Sequence, residues 1–389
     1  MRIMVLGGAG KMGCIAVQDL AENELVEQVI LADIDYAQAR LVADYIENPK
    51  VTVLQLDSRD RPAFEKALHG VDVCLNATVY YVNLPTMEMC LRTRVDYLDL
   101  GGLFHTTRKQ LELDQAFRSA GVSAILGIGT APGITNVQAR YAADRLDTVD
   151  SIKIYDGSRS PGKKRDRFTY AVPTILDELT LEPVVFRNGK FITRKPMSEF
   201  ENYFFTPPLG VLPVHLSLHS EVATLPHVYR SKGIKEVFFK INYWGMDPET
   251  VERIRVLADF GFGGRDPVEV DGQAMVPRQL MLALLSGRVP PITDYLAPAA
   301  HEPPDWVQEM STEVRGTQAG QSVSYRVTSL TCKSALPTGV APAIASVYLA
   351  QGRISPGVHP PETVIDPLPF FDELKKRGVY TQVSVTTEI

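Results

Sequence analysis

Short apolar runs alternate with amphipathic stretches along the first third of the chain. The apolar runs have the length of strands, and the stretches between them carry apolar residues at helical spacing. The predicted strands cover residues 3–6, 26–35, 51–57, 71–78, 95–102 and 122–129. Strands and helices that alternate in this way form βαβ units around a parallel sheet. The pattern therefore predicts an α/β fold with a doubly wound parallel sheet of the Rossmann type.

The pattern changes near Pro132, where this alternation ends. Over residues 150–330, segments of alternating apolar and polar residues lie between prolines and glycines, which favours a mixed, largely antiparallel sheet. Helical spacing returns at 247–262, 276–287, 339–354 and 368–378. Thr135 has the character of an N-cap for a helix that runs to Leu146. The sequence thus predicts a second domain, an α+β mixed-sheet domain.

A glycine-rich turn follows the first predicted strand. Gly8, Gly10 and Gly13 fit the spacing G-x-G-x-x-G, and Asp33 lies about 20 residues further on, in the second predicted strand. The first glycine permits a tight turn, the second lets a pyrophosphate approach the backbone, and the third lets helix and strand pack closely. The helix that follows offers unpaired N–H groups to phosphate. A dinucleotide site is therefore favoured over a glycine-rich turn without a ligand.

Asp33 also bears on the identity of the cofactor. Its carboxylate can accept both hydroxyls of a ribose and would repel a 2′-phosphate, so we expect NAD, with NADP as the alternative. Asp57 ends the third predicted strand, where it either lies beside the adenine or only initiates a turn. The stretch "NAT" ends the fourth predicted strand. The predicted cofactor-binding residues are Gly8, Gly10, Lys11, Met12, Gly13, Asp33, Asp57, Asn76, Ala77 and Thr78.

Composition and charge narrow the class of protein. The 389 residues carry a formal net charge of −6, which argues against nucleic acid as the main partner. No apolar run approaches the roughly 20 residues that span a bilayer, so no membrane partner is expected. The four cysteines show neither zinc-site nor disulfide spacing. We therefore expect reduced thiols in a cytoplasmic protein, and no metal site.

Six stretches in order along the chain carry a resemblance to a known family. The chain resembles the saccharopine dehydrogenase-like oxidoreductases, which include saccharopine reductases, lysine 6-dehydrogenases and carboxynorspermidine dehydrogenases. The resemblance covers nearly the full length. The stretches that carry it are "GGAGKMG" with "LADID", then "LNAT", "YLDLGG", "GIGTAPGITNV", "LHSEVATLP" and "TGVAPAIASVYLAQGRI".

The resemblance implies an activity and an architecture. The activity is NAD(P)-dependent oxidation of the C–N bond of an amino acid, or its reverse. Oxidative deamination of L-lysine at its terminal amine is the first choice, and saccharopine or carboxynorspermidine is the alternative substrate. The implied domains are residues 1–132 with about 331–389, which bind the dinucleotide, and residues 133–330, which bind substrate and form a homodimer.

This chemistry requires a general base for the amine proton and negative charge near the iminium. Asp99 ends the fifth predicted strand, where it is expected to hold the substrate ammonium, to act as the base, or only to cap the glycine-rich turn that follows. His219 and Glu221 would lie on one face of a strand, with Ser220 opposite, and would tune each other's pKa unless that face is merely solvated. Asp99, His219 and Glu221 are the predicted catalytic residues.

The substrate carboxylate requires a cation, for which the sequence offers several choices. The candidate arginines are Arg159, Arg165, Arg167, Arg230 and Arg326. The predicted substrate-binding residues are Tyr80, Gly101, Tyr170 and Arg326. Two other classes stay open. They are a semialdehyde-type dehydrogenase, for which Cys332 is the plausible nucleophile, and a non-catalytic NAD-binding sensor or partner protein.

Overall fold

A computed structural model describes residues 1–159, 171–243, 248–286, 292, 307–332 and 335–387. Its first sheet contains seven parallel strands, in the order β3-β2-β1-β4-β5-β6-β17. These strands are β1 (Arg2–Leu6), β2 (Gln28–Asp33), β3 (Val51–Gln55), β4 (Val73–Asn76), β5 (Asp96–Asp99), β6 (Ser123–Ile125) and β17 (Gly357–His359). Because β1 pairs with both β2 and β4, the strand order reverses at β1. Ligands bind beside the carboxyl ends of strands at such a reversal.

Helices connect these strands and cover the first sheet. They are α1 (Lys11–Glu22), α2 (Tyr36–Ile46), α3 (Arg61–Ala67), α4 (Asn83–Thr93), α5 (Leu103–Leu111) and α6 (Asp114–Ala120), and the 3-10 turn Tyr80–Val82 precedes α4. Most predicted strands are longer than those observed, because the apolar runs continue into buried turns such as Leu126 to Ile128.

The second sheet contains nine strands among the described residues. It comprises β7 (Thr148–Arg159), β8 (Val184–Arg187), β9 (Lys190–Thr193), β10 (Glu201–Phe204), β11 (Val211–Leu216), β12 (Glu236–Ile241), β15 (Val307–Gln318), β16 (Gln321–Thr331) and β18 (Tyr380–Thr387). Only β7 and β12 pair in parallel; the other pairs are antiparallel. The predicted fold class, a Rossmann-type sheet with a mixed-sheet domain, is confirmed.

The remaining elements surround this sheet or return to the first one. They are α7 (Ile134–Ala143), α8 (Val172–Thr180), α9 (Glu221–Val228), the 3-10 turn Arg230–Lys232, α10 (Pro248–Leu257) with the π turn Ala258–Phe262, the hairpin β13 (Val268–Val270) and β14 (Gln273–Met275), α11 (Pro277–Ser286), α12 (Leu336–Ala350), α13 (Pro361–Val364) and α14 (Pro367–Lys376). No helix in the described ranges is long and apolar enough to cross a membrane.

The C-terminal part contacts both sheets. α12 packs against α1 so closely that a Cβ at Gly339 would lie 2.5 Å from the Ile15 Cβ. β17 then pairs with β6, and β18 pairs with β16 in the second sheet. The domain limits given by the sequence stay a prediction, and this last pairing places β18 with the second sheet rather than the first.

The predicted N-cap at Thr135 is wrong. α7 begins one residue after Gly133, whose φ of +125° favours glycine. The Asn136 side chain accepts from the Gly133 N–H at 2.9 Å, which closes the start of the helix. The Thr135 side chain lies inside α7 and donates to Glu221 instead. Thr135, although its residue type is common at N-caps, is thus part of a buried hydrogen-bond network with Glu221.

Candidate active site

One cavity of about 680 Å³ lies between the carboxyl ends of β1 and β4 and the second sheet. On the first-sheet side it is lined by Gly7, Gly10, Lys11, Met12, Asp33, Ala77 and Thr78, followed by Tyr80 and Gly101. On the second-sheet side it is lined by Asp156, Glu178, His219, Ser220 and Gln308. We call this cavity the cleft. The glycine turn and the polar residues of the second sheet therefore face one continuous space.

The glycine turn is built by four glycines rather than three. Gly7 has a φ of +78°, and a Cβ there would lie 2.9 Å from the Thr78 side chain. Gly8, to which the sequence assigned the tight turn, has no positive φ, and its missing Cβ makes room for Leu31. A Cβ at Gly13 would lie 2.2 Å from the Gly7 carbonyl oxygen. The two consecutive glycines in "LGGAG" indicate that Gly7 also belongs to the turn, although the motif spacing does not include it.

The start of α1 faces the cleft at Gly10. This residue is the N-cap of α1, and among the described residues no side chain caps the helix. A Cβ at Gly10 would contact only the Gly7 carbonyl oxygen, at 3.2 Å. Burial lowers the pKa of the neighbouring Lys11 to about 8. The first turn of α1 thus presents N–H groups to the cleft, as a phosphate site requires.

Asp33 lies at the carboxyl end of β2 and lines the cleft. Its Oδ2 accepts from the Ala9 N–H and its Oδ1 from the Asp35 N–H, each at 3.0 Å. These two bonds fix the carboxylate beside the glycine turn. The glycine cradle, the uncapped helix and the fixed carboxylate together fit a dinucleotide, with phosphate at α1 and ribose at Asp33.

Four predicted cofactor-binding residues lie outside the cleft wall: Gly8 and Gly13, which shape the glycine turn, and Asp57 and Asn76. The Asp57 carboxylate is bound by the Arg59 guanidinium, at 2.7–3.1 Å, and this side-chain hydrogen bond lowers the pKa of Asp57 to about 2. Asn76 is fully buried, and its Oδ1 accepts from the Thr78 N–H and hydroxyl. Asn76 therefore positions Thr78, which does line the cleft.

Asp99 lies behind the cleft wall, where its carboxylate accepts four hydrogen bonds. The Tyr97 hydroxyl and the Gln110 amide bind one oxygen, and the Gly101 and Gly127 N–H groups bind the other, all at 2.6–2.9 Å. Burial raises the pKa of Asp99, although these bonds oppose the shift. The placement argues against the predicted catalytic role. Asp99 holds the turn that brings Gly101 to the cleft.

His219 and Glu221 are in contact, but not through the predicted strand. β11 ends at Leu216, His219 lies in the loop that follows, and Glu221 is the first residue of α9. A carboxylate in the first turn of a helix interacts favourably with the helix dipole, which the expected strand alternation ignored. The His219 Nδ1 lies 2.5 Å from the Glu221 Oε2. The imidazole also stacks on Phe239, with ring centroids 3.7 Å apart.

Glu221 orients the imidazole from behind. Its side chain is fully buried, and its Oε1 accepts from the Thr135 hydroxyl at 2.8 Å. Because Glu221 engages Nδ1, Nε2 is the ring nitrogen available to a ligand. A histidine held in this way by a carboxylate is suited to general acid–base catalysis.

Two further acids line the cleft beside His219. Asp156 on β7 and Glu178 on α8 are both buried, and Gln308 donates to both oxygens of Asp156 at 3.0 and 3.2 Å. Burial raises the pKa of Asp156 to about 7. Burial also acts to lower the pKa of His219, but the charges of Glu221, Glu178 and Asp156 outweigh it, and the pKa is raised. This side of the cleft therefore places the buried acids Asp156, Glu178 and Glu221 around one histidine.

Sequence reasoning missed Asp156, Glu178 and Gln308. Asp156 breaks the apolar pattern of "SIKIYDGS", which is a visible signal of a polar group inside a sheet. Glu178 and Gln308 have no comparable signal, because they come from elements far apart in the chain. Gln308 reaches Asp156 through the pairing of β7 with β15, and Glu178 comes from α8.

The predicted substrate-binding residues have mixed placements. Tyr80 and Gly101 line the cleft, and Gly101 has a φ of +132°. The Arg326 guanidinium instead donates to Ser311, to the Phe204 carbonyl and to Glu309, away from the cleft lining. Arg159 and Arg230 do not line the cleft either. Tyr170, Arg165 and Arg167 lie outside the described residues.

The cysteines do not support a thiol-dependent dehydrogenase. Cys14, Cys74 and Cys90 are buried, and the exposed Cys332 is not part of the cleft lining. Burial raises the pKa of Cys14 to about 12, which disfavours the reactive thiolate. The described residues also contain no cluster of three or more metal-binding side chains of the kind that holds an ion.

Comparisons with known proteins agree with this arrangement. Residues 3–125 match the saccharopine dehydrogenase NADP binding domain, and residues 129–379 match the saccharopine dehydrogenase C-terminal domain. A carboxyaminopropylagmatine dehydrogenase from Synechocystis sp. is 25% identical over 400 residues, which covers 97% of this chain and 96% of that protein. A carboxynorspermidine synthase from Vibrio cholerae is 24% identical over 308 residues, which covers 73% of this chain and 72% of that protein.

Two solved structures share the fold. The apo saccharopine dehydrogenase (L-Glu forming) of Saccharomyces cerevisiae has a TM-score of 0.69 at 18% identity and covers 99% of both chains. The homospermidine synthase of Legionella pneumophila, in complex with NAD, has a TM-score of 0.66 at 13% identity, over 98% of this chain and 91% of that one. The resemblance, the dehydrogenase class and the NAD(P) cofactor expected from the sequence are confirmed. The chain belongs to the saccharopine dehydrogenase family of NAD(P)-dependent oxidoreductases.

Proposed function

We propose that the protein oxidises, or forms by reduction, the C–N bond of a secondary amine that joins an amino-acid part to a cationic amine part. The observation that carries the proposal is the acidic wall of Asp156, Glu178 and His219–Glu221 in the same cleft as the glycine turn. Carboxylates at this density favour a substrate with more than one ammonium group. Carboxynorspermidine and carboxyaminopropylagmatine, named by two relatives, are such substrates.

This proposal changes the order of the substrates expected from the sequence. L-Lysine was the first choice, whereas the relatives favour the carboxylated polyamine that was the alternative. Saccharopine stays the second candidate, because both matched domains carry its name. A homodimer and a cytoplasmic location stay predictions.

The residues of the cleft divide the chemistry between them. The bound nicotinamide cofactor supplies or accepts a hydride at the carbon of the C–N bond. His219, held through Nδ1 by Glu221, takes the amine proton at Nε2 during oxidation and returns it during reduction. Asp156 and Glu178 stabilise the positive charge of the iminium. Asp156 and Glu178 are buried, so solvent screens their charges less than it would at the surface.

A substrate panel tests the proposal directly. The protein is incubated with NAD or NADP and with carboxynorspermidine, carboxyaminopropylagmatine, saccharopine or L-lysine, and reduction of the cofactor is followed by absorbance. We expect the carboxylated polyamines to give the highest kcat/KM. Preferred turnover of L-lysine would overturn the proposed substrate class, and no turnover of any compound would favour the non-catalytic sensor.

The Asp33 carboxylate is expected to disfavour NADP. In Asp33→Asn, the ratio of kcat/KM for NAD over NADP should fall about tenfold, because the charge that repels a 2′-phosphate is removed. Asp35→Ala is the matched control, since the Asp35 side chain accepts from the Gln38 N–H at the start of α2. It should cost about 1 kcal/mol of stability without changing the ratio. An unchanged ratio in Asp33→Asn would contradict the role of Asp33.

Glu221 is expected to set the pH dependence of amine oxidation. His219 must be neutral to accept a proton, so activity is lost as pH falls through its raised pKa. In Glu221→Gln, the loss of the negative charge lowers that pKa, and the acidic limb of the kcat/KM profile should move to lower pH. Glu252→Gln, on the exposed face of α10, should leave the profile unchanged. If the acidic limb does not move in Glu221→Gln, Glu221 orients the imidazole ring but does not set its pKa.

A further inference from the structure

The proposed substrates carry a carboxylate, and the acidic wall of the cleft repels it. Among the described lining residues, Lys11 is the single lysine or arginine, and it belongs to the glycine turn. A second source of positive charge must therefore meet the carboxylate. Two arginines outside the cleft lining, Arg265 and Arg278, both bind Asp177, which precedes the lining residue Glu178.

A cluster of four side chains lies beside the cleft, and we call it the rim cluster. It consists of Tyr80, Asp177, Arg265 and Arg278. The Asp177 Oδ1 lies 2.8 Å from the Arg265 Nη2 and 2.7 Å from the Arg278 Nη2, and the Asp177 Oδ2 accepts from the Tyr80 hydroxyl at 3.0 Å. One carboxylate thus faces two guanidinium groups.

The two arginines are not equivalent. The Arg278 side chain is 9% exposed and also donates to the Pro173 carbonyl at 2.9 Å, so its position is fixed by α8. The Arg265 side chain is 57% exposed although its partner Asp177 is 1% exposed. Arg278 alone can neutralise Asp177, so the charge of Arg265 is in excess at a position that solvent reaches.

The rim cluster also adjoins the cleft itself. Tyr80, a member of the cluster, lines the cleft. Pro173 also lines the cleft, and its carbonyl oxygen accepts a hydrogen bond from Arg278 of the cluster. Tyr80 belongs to the first-sheet side and Asp177 to α8 on the second-sheet side, so the cluster spans the two sides of the cleft. Glu178 lines the cleft, and Asp177, the partner of Arg265, is the preceding residue of α8.

We propose that Arg265 binds the carboxylate of the substrate, while the acidic wall binds its ammonium groups. The assignment rests on the proposed function, since it concerns the orientation of the same substrate. A planar guanidinium forms two parallel hydrogen bonds with a carboxylate, which an ammonium group does not reproduce. The cleft thereby selects a carboxylated amine over the same amine without the carboxylate.

Two ligands that differ only in the carboxylate test this site. Carboxynorspermidine carries the carboxylate, and norspermidine is the same amine without it. In Arg265→Ala, the dissociation constant of carboxynorspermidine, measured by calorimetric titration of the cofactor-bound protein, should rise about 10- to 100-fold. The dissociation constant of norspermidine should stay within about twofold. Arg265→Lys should give an intermediate loss of affinity for carboxynorspermidine, because lysine keeps the positive charge but cannot form the two parallel hydrogen bonds of a guanidinium.

The control is Arg253→Ala, which removes an exposed arginine from α10 that pairs with Glu249. It should change neither dissociation constant. Equal weakening of both ligands in Arg265→Ala, or no change in either, would overturn the carboxylate site. Turnover is measured separately: a carboxylate-dependent affinity without any turnover of the panel would overturn the proposed function and leave this site standing.

Discussion

Replacing His219 with glutamine is expected to lower kcat for amine oxidation by about 10²- to 10⁴-fold, the range that general acid–base catalysis contributes. Glutamine retains an amide that can donate to Glu221, so the buried carboxylate keeps a partner. It cannot accept and return a proton at the position of Nε2. The KM for the amine should change much less than kcat, because Asp156 and Glu178 still face the substrate. Steady-state kinetics at saturating cofactor measure both constants.

His215 provides the matched control for this variant. It lies four residues earlier, is partly buried in β11, and its Nδ1 lies 3.1 Å from the Met197 carbonyl oxygen. It does not line the cleft. His215→Gln should therefore leave kcat within about threefold of wild type, because His215 is not part of the described lining of the cleft.

The stability of the His219 variant must be measured beside its kinetics. The imidazole stacks on Phe239, and loss of that contact is expected to cost about 0.5–1.5 kcal/mol. A folded variant with near-wild-type kcat would show that another group moves the proton. Asp156, whose pKa is raised to about 7 by burial, would then be the next group to substitute.

The sequence predicts the cofactor half of the cleft better than the substrate half. The glycine turn and Asp33 belong to one βα unit, so their relative position follows from local structure. Asp156, Glu178 and Gln308 come from β7, α8 and β15, and they meet only after the second sheet has formed. No spacing in the chain encodes that meeting.

The strand expected at His219 is wrong, and Asp99 points away from the cleft, for a common physical reason. Alternation in "LHSEV" favours a strand, but the chain leaves β11 and begins α9, and the same pair meets through a helix start. Asp99 ends a parallel strand as expected. Its carboxylate, however, accepts hydrogen bonds from the N–H groups of Gly101 and Gly127 in neighbouring turns, and it is not exposed to a ligand. The identity of a polar residue was thus easier to predict than the direction in which its side chain points.

The two sides of the cleft have complementary roles because charge separates along it. The glycine turn offers N–H groups to phosphate, whereas the second sheet offers carboxylates to an amine. We therefore expect the anionic cofactor and the proposed cationic substrate to bind to opposite sides of the cleft. Buried acids of this kind would be costly without a ligand or a proton, and the raised pKa of Asp156 is consistent with that cost.

Replacement of Gly13 with alanine is expected to lower the stability of the protein, whereas replacement of Gly10 is expected mainly to weaken cofactor binding. A Cβ at Gly13 would lie 2.2 Å from the Gly7 carbonyl oxygen and 2.9 Å from the Gly8 Cα, and both contacts are with backbone. α1 must then move away from β1, which we expect to cost about 1–3 kcal/mol of unfolding free energy. A Cβ at Gly10 meets only the Gly7 oxygen, at 3.2 Å, so Gly10→Ala should cost less, about 1 kcal/mol, the usual cost of alanine at an N-cap.

The affinity for the cofactor separates the two variants further. The methyl group of Gly10→Ala projects toward the space that a pyrophosphate would occupy, so we expect the dissociation constant of NAD(P)H to rise roughly 5- to 150-fold, equivalent to about 1–3 kcal/mol. Thermal unfolding without cofactor and a fluorescence titration with NADPH and NADH measure the two effects. Gly10→Ala that binds both cofactors as tightly as wild type would place the pyrophosphate elsewhere. Gly13→Ala with unchanged stability would show that α1 can shift from β1 without cost, and the close packing inferred for this turn would then be wrong.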